Sequence, residues 1–517
     1  MKILVGGLSA VLLAAVMYSQ TANAAAAAAS CESLSSLKLP NATVTLAQTV
    51  AAGAFTATAA DAEPGEAPPS AQAFKNLPAF CRVAATLTPS SDSDIKIEVW
   101  LPASGWNGKF QAVGNGGWGG PIRYPAMGEA IRRGYATTGT NTGHVGGGAS
   151  WALGHPEKLA DYAYRSQHEM TVKAKALTAA FYGEGPKLSY WNGCSAGGKD
   201  GFVAAQRYPD DFNGIIAGSP AIDWTGRAAQ SLRVWKAMHK DEASVIPPAK
   251  YPVIRAAAIE ACDMLDGVKD GVIEDPTQCK FDPKVLACSE ASDSPTCLTA
   301  PQVESARQVY ASATNPSSKR QVTGLYPGSE PGWSTWGGNQ GFGTSVDHFK
   351  YVVFKDPGWD FKTFNFERDF IAADNVDHGL INALNPNLKP FLDRGGKLIQ
   401  YHGWADPQIS PGASVSYYKS VVDAMGGAGK VQGSYRLFMV PGMRHCRGGD
   451  VPDTFDAVTA LEQWVEGGKA PEQLIASRVT KDGKVDRTRP LCPYPQVAQY
   501  KGTGSTDEAA NFVCKAR

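Results

Sequence analysis

Apolar and charged residues alternate singly from Ile95 to Leu101, with Lys96 and Glu98 separating Ile95, Ile97 and Val99, and this period of two predicts a half-exposed strand. Trp106 to Val113 predicts a second strand that runs into the glycine cluster Gly114-Asn-Gly-Gly-Trp-Gly-Gly120, and a third begins at Ala136. Tyr162 to Tyr182 reads as a helix. Leu188, Tyr190 and Trp191 suit a buried strand, Phe202 to Gln206 a helix stopped by Tyr208-Pro209, and Phe212 to Gly218 another short buried strand. From about Ile222 to Leu384 the alternation stops, and tryptophans, prolines and four cysteines are scattered without a period. It returns with a strand at Gly395 to His402, a helix at Val415 to Met425, a last strand at Arg436 to Val440 and a closing helix at Thr454 to Glu466. Strands and helices in turn predict an α/β fold, interrupted by an insertion that caps it.

The sharpest local signal is Gly193-Cys-Ser-Ala-Gly197 between a strand and a helix. Glycines two residues either side of Ser195 allow a turn too tight for side chains, and the turn lifts the hydroxyl above the sheet edge. The following helix aims unpaired N–H groups at any negative charge formed there. Cys194 is one position off the centre of the turn and reads as structural. The glycine cluster at 114–120, following a strand upstream of the serine, stands where an α/β-hydrolase fold places the other half of its oxyanion hole. No lysine follows in a phosphate-binding pattern, which argues against a nucleotide loop.

A serine needs a base, and the base an orienting acid. The α/β-hydrolase order of serine, acid and histidine, with the last two after late strands, selects Asp406 and His445. His402 competes for the base and Asp423 and Asp450 for the acid; His402 lies at a strand end, Asp423 on a helix, and Asp450 past the histidine. Ser195 follows Cys194 and His445 precedes Cys446, so a meeting of serine and histidine brings those cysteines within bridging distance. His144, His155 and His168 read as scaffold residues.

The 517 residues carry 49 basic and 49 acidic side chains, which gives no electrostatic case for a nucleic-acid partner or an anionic membrane. Lys2, the apolar run Ile3 to Val16 and Ala22-Asn-Ala24 predict an export signal cleaved after Ala24, with the mature chain secreted or periplasmic and off the membrane. All ten cysteines follow that signal, no C-x-x-C pair occurs, and an oxidising compartment makes them a disulfide set. The acidic stretch Cys262-Asp-Met-Leu-Asp-Gly-Val-Lys-Asp-Gly-Val-Ile-Glu-Asp275 suits either a hard cation or a solvated acidic turn.

Jointly, Gly193-Cys-Ser-Ala-Gly-Gly198, Cys262 to Gly271, Tyr401-His-Gly-Trp-Ala-Asp406, Pro441-Gly-Met-Arg-His-Cys446 and Arg489-Pro-Leu-Cys-Pro-Tyr-Pro495 resemble the tannase and feruloyl esterase family of secreted α/β-hydrolases. That family also contains the mono(2-hydroxyethyl) terephthalate hydrolase. The resemblance implies a catalytic domain in two parts, 25–221 and 385–517, around a lid at 222–384. It implies a triad of Ser195, Asp406 and His445 and oxyanion donors on the backbone of Gly117 and Ala196. It implies Ca2+ held in the lid by Asp263, Asp266 and Asp270 with the carbonyls of Val268 and Val272. It implies five disulfides, Cys31 with Cys81, Cys194 with Cys446, Cys262 with Cys279, Cys288 with Cys297, and Cys492 with Cys514. The expected reaction is serine hydrolysis of a feruloyl or galloyl ester, free or attached to plant polysaccharide or polyphenol. A terephthalate monoesterase and a catalytically silent binding protein are the alternatives. In the terephthalate enzyme a lid arginine meets the free carboxylate, and Thr344 to Val353 offers no such arginine here.

Overall fold

Among the described residues nine strands form one sheet in the order β1-β2-β3-β5-β4-β6-β7-β10-β11. They are β1 Ala42–Val50, β2 Phe80–Leu87, β3 Ile95–Pro102, β4 Lys109–Val113, β5 Ala136–Thr140, β6 Leu188–Cys194, β7 Gly214–Gly218, β10 Lys397–Gly403 and β11 Tyr435–Val440; β8 Ala313–Thr314 and β9 Gln321–Val322 pair separately. The computed structural model describes Met1 and residues 29–57, 70–289 and 293–516, so the export signal expected over 1–24 lies, Met1 apart, outside the described residues.

The first three strands and the β3–β5 pair are antiparallel, while β5, β4, β6, β7, β10 and β11 run parallel. Parallel strands covered by helices on both faces need apolar or small side chains throughout, and Gly214-Ile-Ile-Ala-Gly218 is buried at every position. The edge strand β1 alternates exposed and half-buried residues and carries a bulge between Val44 and Leu46. Its alanines and threonines concealed it as a strand, because an edge needs little apolar surface.

Some expected boundaries change. The strand expected from Trp106 starts at Lys109, because Gly108 takes φ 76° and the Trp106 ring stacks on Tyr182 at 3.9 Å. The helix expected at Val415 starts at Pro411, a residue suited to a first helical turn. The strand expected at Arg436 and the helix expected at Thr454 form at Tyr435–Val440 and Ala457–Gly467 but do not end the chain: two hairpins follow, β12 Leu474–Val479 with β13 Val485–Leu491, and β14 Gln496–Tyr500 with β15 Phe512–Ala516. Charged residues such as Arg478, Asp486 and Arg487 mask the apolar alternation of those hairpins.

Between β7 and β10 the described residues contribute no strand to the large sheet and build a mainly helical insertion. Its first helix, Trp224–Met238, is capped by the Asp223 side chain, which accepts from Gly226 N at 2.9 Å. A later one, Ala300–Tyr310, starts with a reciprocal cap between Thr299 and Gln302. Trp333, Trp336, Ile254 and Leu325 give the insertion its own apolar core. All five disulfides pair as the resemblance implied.

Candidate active site

Ser195 stands immediately after β6 and before the helix Ala196–Arg207, with φ 64° and ψ −122°. A side-chain-bearing residue in that region is strained by about 1–3 kcal/mol, and the surroundings hold it there. A Cβ on Gly193 would come within 2.4 Å of the Gly197 carbonyl oxygen, and one on Gly197 within 2.8 Å of Gly114 Cα. The glycine cluster after β4 is thus packed backbone to backbone against the serine turn, and Gly197 N donates to Asn115 O at 2.8 Å. Ala196, the first residue of its helix, has an N–H without an intrahelical acceptor. Gly119 N donates to Gly116 O at 2.8 Å, which fixes the peptide plane that carries the Gly117 N–H.

Asp406 follows β10 and His445 follows β11, so all three residues lie at the carboxyl ends of parallel strands. His445 Nδ1 is 2.7 Å from Asp406 Oδ2. Asp406 is fully buried and its other oxygen accepts from the N–H groups of Gln408 (2.8 Å) and Ile409 (3.0 Å). Burial alone would raise this carboxyl; the His445 imidazole and hydrogen bonds from His402 and His445 outweigh it and hold the group well below the usual carboxylate range.

Strand spacing shows what the Cys194–Cys446 bridge does. β11 is three places from β6 in the sheet, about 14 Å at about 4.8 Å per strand. The bridge nevertheless holds the two Cα atoms 6.1 Å apart. The loop after β11 therefore folds back across the ends of β10 and β7, bringing His445 toward Ser195. Among the described residues neither the Ser195 hydroxyl nor His445 Nε2 has a hydrogen-bond partner, and no hydrogen bond joins the two to each other.

His402, the rival base, is fully buried with both ring nitrogens engaged, Nδ1 by Ser414 Oγ at 2.7 Å and Nε2 by Asp406 Oδ2 at 3.0 Å. His155 pairs with Asp92 and His168 with Asp211, while His144 stacks on Trp151 at 4.0 Å and is pushed down to about 4 by burial.

Aromatic rings from the glycine cluster, from the chain after β5 and from the insertion pack in one buried cluster with Ala196, and sequence reasoning did not single them out. Trp118, in the glycine cluster, packs on Trp224 at 4.7 Å and on Tyr162 at 5.1 Å, and the Tyr162 hydroxyl donates to Gly117 O at 2.8 Å. Beside Trp224 lies Arg227, whose Nη1 donates to Thr344 Oγ1 at 2.8 Å and whose guanidinium sits 4.5 Å from the Trp224 ring centre. An arginine thus reaches the Thr344 segment from another helix. Arg227 Nε and Nη2 are buried and unpartnered among the described residues, as are Trp224 Nε1 and both His348 nitrogens. Burial lowers Arg227 to about 10. Only the contacts between helices, invisible along the chain, collect these groups.

In the acidic loop, Asp263 accepts from the N–H groups of Asp270 (3.3 Å) and Gly271 (3.0 Å), and Asp270 is paired with Arg489. Asp266, Asp270, Val272 and Glu274 line a small cavity of about 10 Å³, with Asp266 raised to about 6 and Glu274 to about 7 by burial. Among the described residues no three His, Cys, Asp or Glu side chains converge as a metal cluster. The donor chemistry suits a hard cation, but Asp263 is turned to the backbone and Arg489 supplies part of the positive charge.

Residues 81–515 match the profile of the family described as tannase and feruloyl esterase. The chain belongs to that family. It is 38% identical over 543 residues to an uncharacterized esterase of Xanthomonas campestris pv. campestris, covering 95% of this chain and 92% of that protein. It is 33% identical over 452 residues to feruloyl esterase B of Aspergillus niger, covering 84% and 86%. The crystal structure of feruloyl esterase B from Aspergillus oryzae superposes with a TM-score of 0.88 at 34% identity, over 94% of this chain and 99% of that one. Tannin acyl hydrolase from Aspergillus niger shares the fold, with a TM-score of 0.71 at 21% identity over 93% of each chain. As a member of the tannase and feruloyl esterase family, the protein is a carboxylic ester hydrolase with an α/β-hydrolase fold. Among the described residues no helix is long and apolar enough to cross a membrane.

Proposed function

We propose that the protein is an exported serine esterase that cleaves aromatic acyl esters of the feruloyl or galloyl kind through an acyl-enzyme. The observation that carries this reading is the Asp406–His445 hydrogen bond, held on a loop that the Cys194–Cys446 bridge ties to the serine turn. His445 takes the proton of Ser195 as its oxygen attacks the ester carbonyl, and Asp406 keeps the imidazole oriented and stabilises its charged form. The N–H groups of Gly117 and Ala196 receive the oxyanion. Collapse of the tetrahedral adduct expels the alcohol, which takes the proton from His445, and leaves the acyl group on Ser195. Water activated by the same histidine then releases the acid.

An aromatic acyl group suits the ring cluster of Trp118, Tyr162 and Trp224 packed beside Ala196. The names of the similar Aspergillus enzymes point to the same substrates. Export fits the absence of free cysteines among the described residues. The test compares hydrolysis of methyl ferulate, methyl gallate and mono(2-hydroxyethyl) terephthalate by the native protein and by Ser195→Ala. The reading expects turnover of the first two, reduced at least about 10³-fold by the substitution. Native-like rates in Ser195→Ala would end it.

Ca2+ binding by the acidic loop belongs to the same proposal, as a structural ion outside the reaction. The set the resemblance implies, Asp263, Asp266 and Asp270 with the carbonyls of Val268 and Val272, would hold it, and Glu274 lines the same small cavity as Asp266 and Asp270. Asp263 would first have to leave the hydrogen bonds it accepts from the N–H groups of Asp270 and Gly271.

A further inference from the structure

His402 is the sixth residue of β10, and its contacts continue beyond Asp406 as a chain through the protein interior. The Tyr435 hydroxyl donates to Gln400 Oε1, and Gln400 Nε2 is 2.7 Å from Ser414 Oγ. Ser414 Oγ is 2.7 Å from His402 Nδ1, and His402 Nε2 is 3.0 Å from Asp406 Oδ2 and 3.2 Å from Ile409 O. Tyr435, Gln400, Ser414, His402 and Asp406 are all 0% exposed, so water replaces none of these contacts.

The direction of the chain is fixed by elementary donor chemistry. An amide nitrogen only donates, so Ser414 Oγ receives from Gln400 and gives its own proton to His402 Nδ1. The single proton of a neutral imidazole is then on Nε2, aimed at the carboxylate. Turning the Gln400 amide over reverses every step and sets a bare nitrogen lone pair against Asp406 Oδ2, which is repulsive. One oxygen, Oδ2, therefore receives hydrogen bonds from two imidazoles.

We infer that His402 is a positioning residue for the ester hydrolysis: its Nε2–H anchors the Asp406 carboxylate and draws off part of the negative charge that would otherwise hold a proton on His445. The inference rests on the reading of Ser195, Asp406 and His445 as the catalytic unit. Arg227, on the first helix of the insertion, is a charged group that interacts electrostatically with Asp406, and it acts in the same direction. From β11 the group facing the chain is Tyr435, and from the helix Pro411–Ala424 it is Ser414. With the His402 donor removed, the carboxylate becomes more basic toward its one remaining imidazole and the His445 imidazolium is stabilised.

The experiment is the pH profile of kcat/KM on methyl ferulate for the native protein, His402→Phe, His402→Gln and Ser414→Ala. The acid limb of that profile reports the base in the free enzyme. In His402→Phe it moves up by about one pH unit, as expected for loss of a hydrogen bond to a charged group transmitted through Asp406. Plateau kcat/KM falls about tenfold to a hundredfold, because Asp406 is also less firmly placed. His402→Gln keeps a donor toward Asp406 and returns the limb to within about 0.3 unit of native. Ser414→Ala loosens the anchor and moves the limb the same way by a smaller amount. A purely space-filling histidine would lower the rate without moving the limb. If His402→Phe does not fold, Ser414→Ala and His402→Gln carry the test, and an unmoved limb in Ser414→Ala overturns the inference. If Ser195→Ala retains native activity, the catalytic reading fails and this inference with it; if Ser195→Ala is inactive and the limb stays fixed in every variant, only the role of His402 fails.

Discussion

Removing the Cys194–Cys446 bridge with the double substitution Cys194→Ala/Cys446→Ala separates two consequences that can be sized from the structure. The bridge spans 252 residues of sequence, for which loop-closure entropy in the unfolded chain gives about 5 kcal/mol at about 25 °C, the upper end of what disulfides contribute. The second consequence is geometric. Without the bridge, the loop that carries His445 is no longer tied to the serine turn three strands away, and a displacement of about 1 Å costs about a hundredfold in rate. Stability is read by denaturant unfolding, and kcat/KM on an aryl ester under conditions where the variant keeps its native circular dichroism. The expected result is a fall of about a hundredfold or more in kcat/KM, carried by kcat, since the acyl-binding rings belong largely to other elements. Cys288→Ala/Cys297→Ala is the control: its separation is 9 residues, it loses about 2–3 kcal/mol by the same relation, and it keeps native kinetics. A folded Cys194→Ala/Cys446→Ala protein with kcat/KM within about threefold of native would refute the reasoning.

Asp406→Asn keeps the shape of the acid but not its charge, and kcat should fall about 10³- to 10⁴-fold with little change in KM, measured by steady-state kinetics on methyl ferulate. Arg227→Met removes a buried guanidinium with two unpartnered nitrogens; stability should rise by about 1–3 kcal/mol in denaturant unfolding, and a loss of that size would show that the group is satisfied in solution. With calcium chelated, Glu274 and Asp266 titrate near 7 and 6 in the folded protein against about 4 when unfolded. Groups raised in this way destabilise the fold when ionised, so the melting temperature of the chelated protein should rise as the pH falls from about 8 to about 5, and excess Ca2+ should flatten that slope. A slope unaffected by calcium would remove the ion from the account.

The parallel half of the sheet was legible because Ile215-Ile-Ala217, Leu398-Ile399 and Leu437 to Val440 are short apolar runs punctuated by glycine, and a strand buried on both faces has no other way to be written. The serine turn was legible because its conformation requires Gly193 and Gly197, and their absent side chains leave a pattern in the chain. Asp406 and His445 followed from chain order alone. The edge strand β1 and the terminal hairpins stayed hidden, since half-exposed strands tolerate Thr, Ala and Arg at most positions. Arg227, His348 and Trp224 stayed hidden for a different reason: nothing in a helical sequence marks which buried polar groups lack partners. The chain from Tyr435 to Asp406 joins residues of two strands, a helix and a loop, and only its last two members, His402 and Asp406, fall in a motif of the sequence.

The central claim, that Ser195 is the nucleophile served by His445, is tested most directly by reacting the native protein with a fluorophosphonate and locating the adduct by peptide mass spectrometry. The account predicts a single phosphonyl group on the peptide that contains Ser195, and none in His445→Ala under the same conditions. Labelling at another residue, or undiminished labelling of Ser195 in His445→Ala, would contradict it.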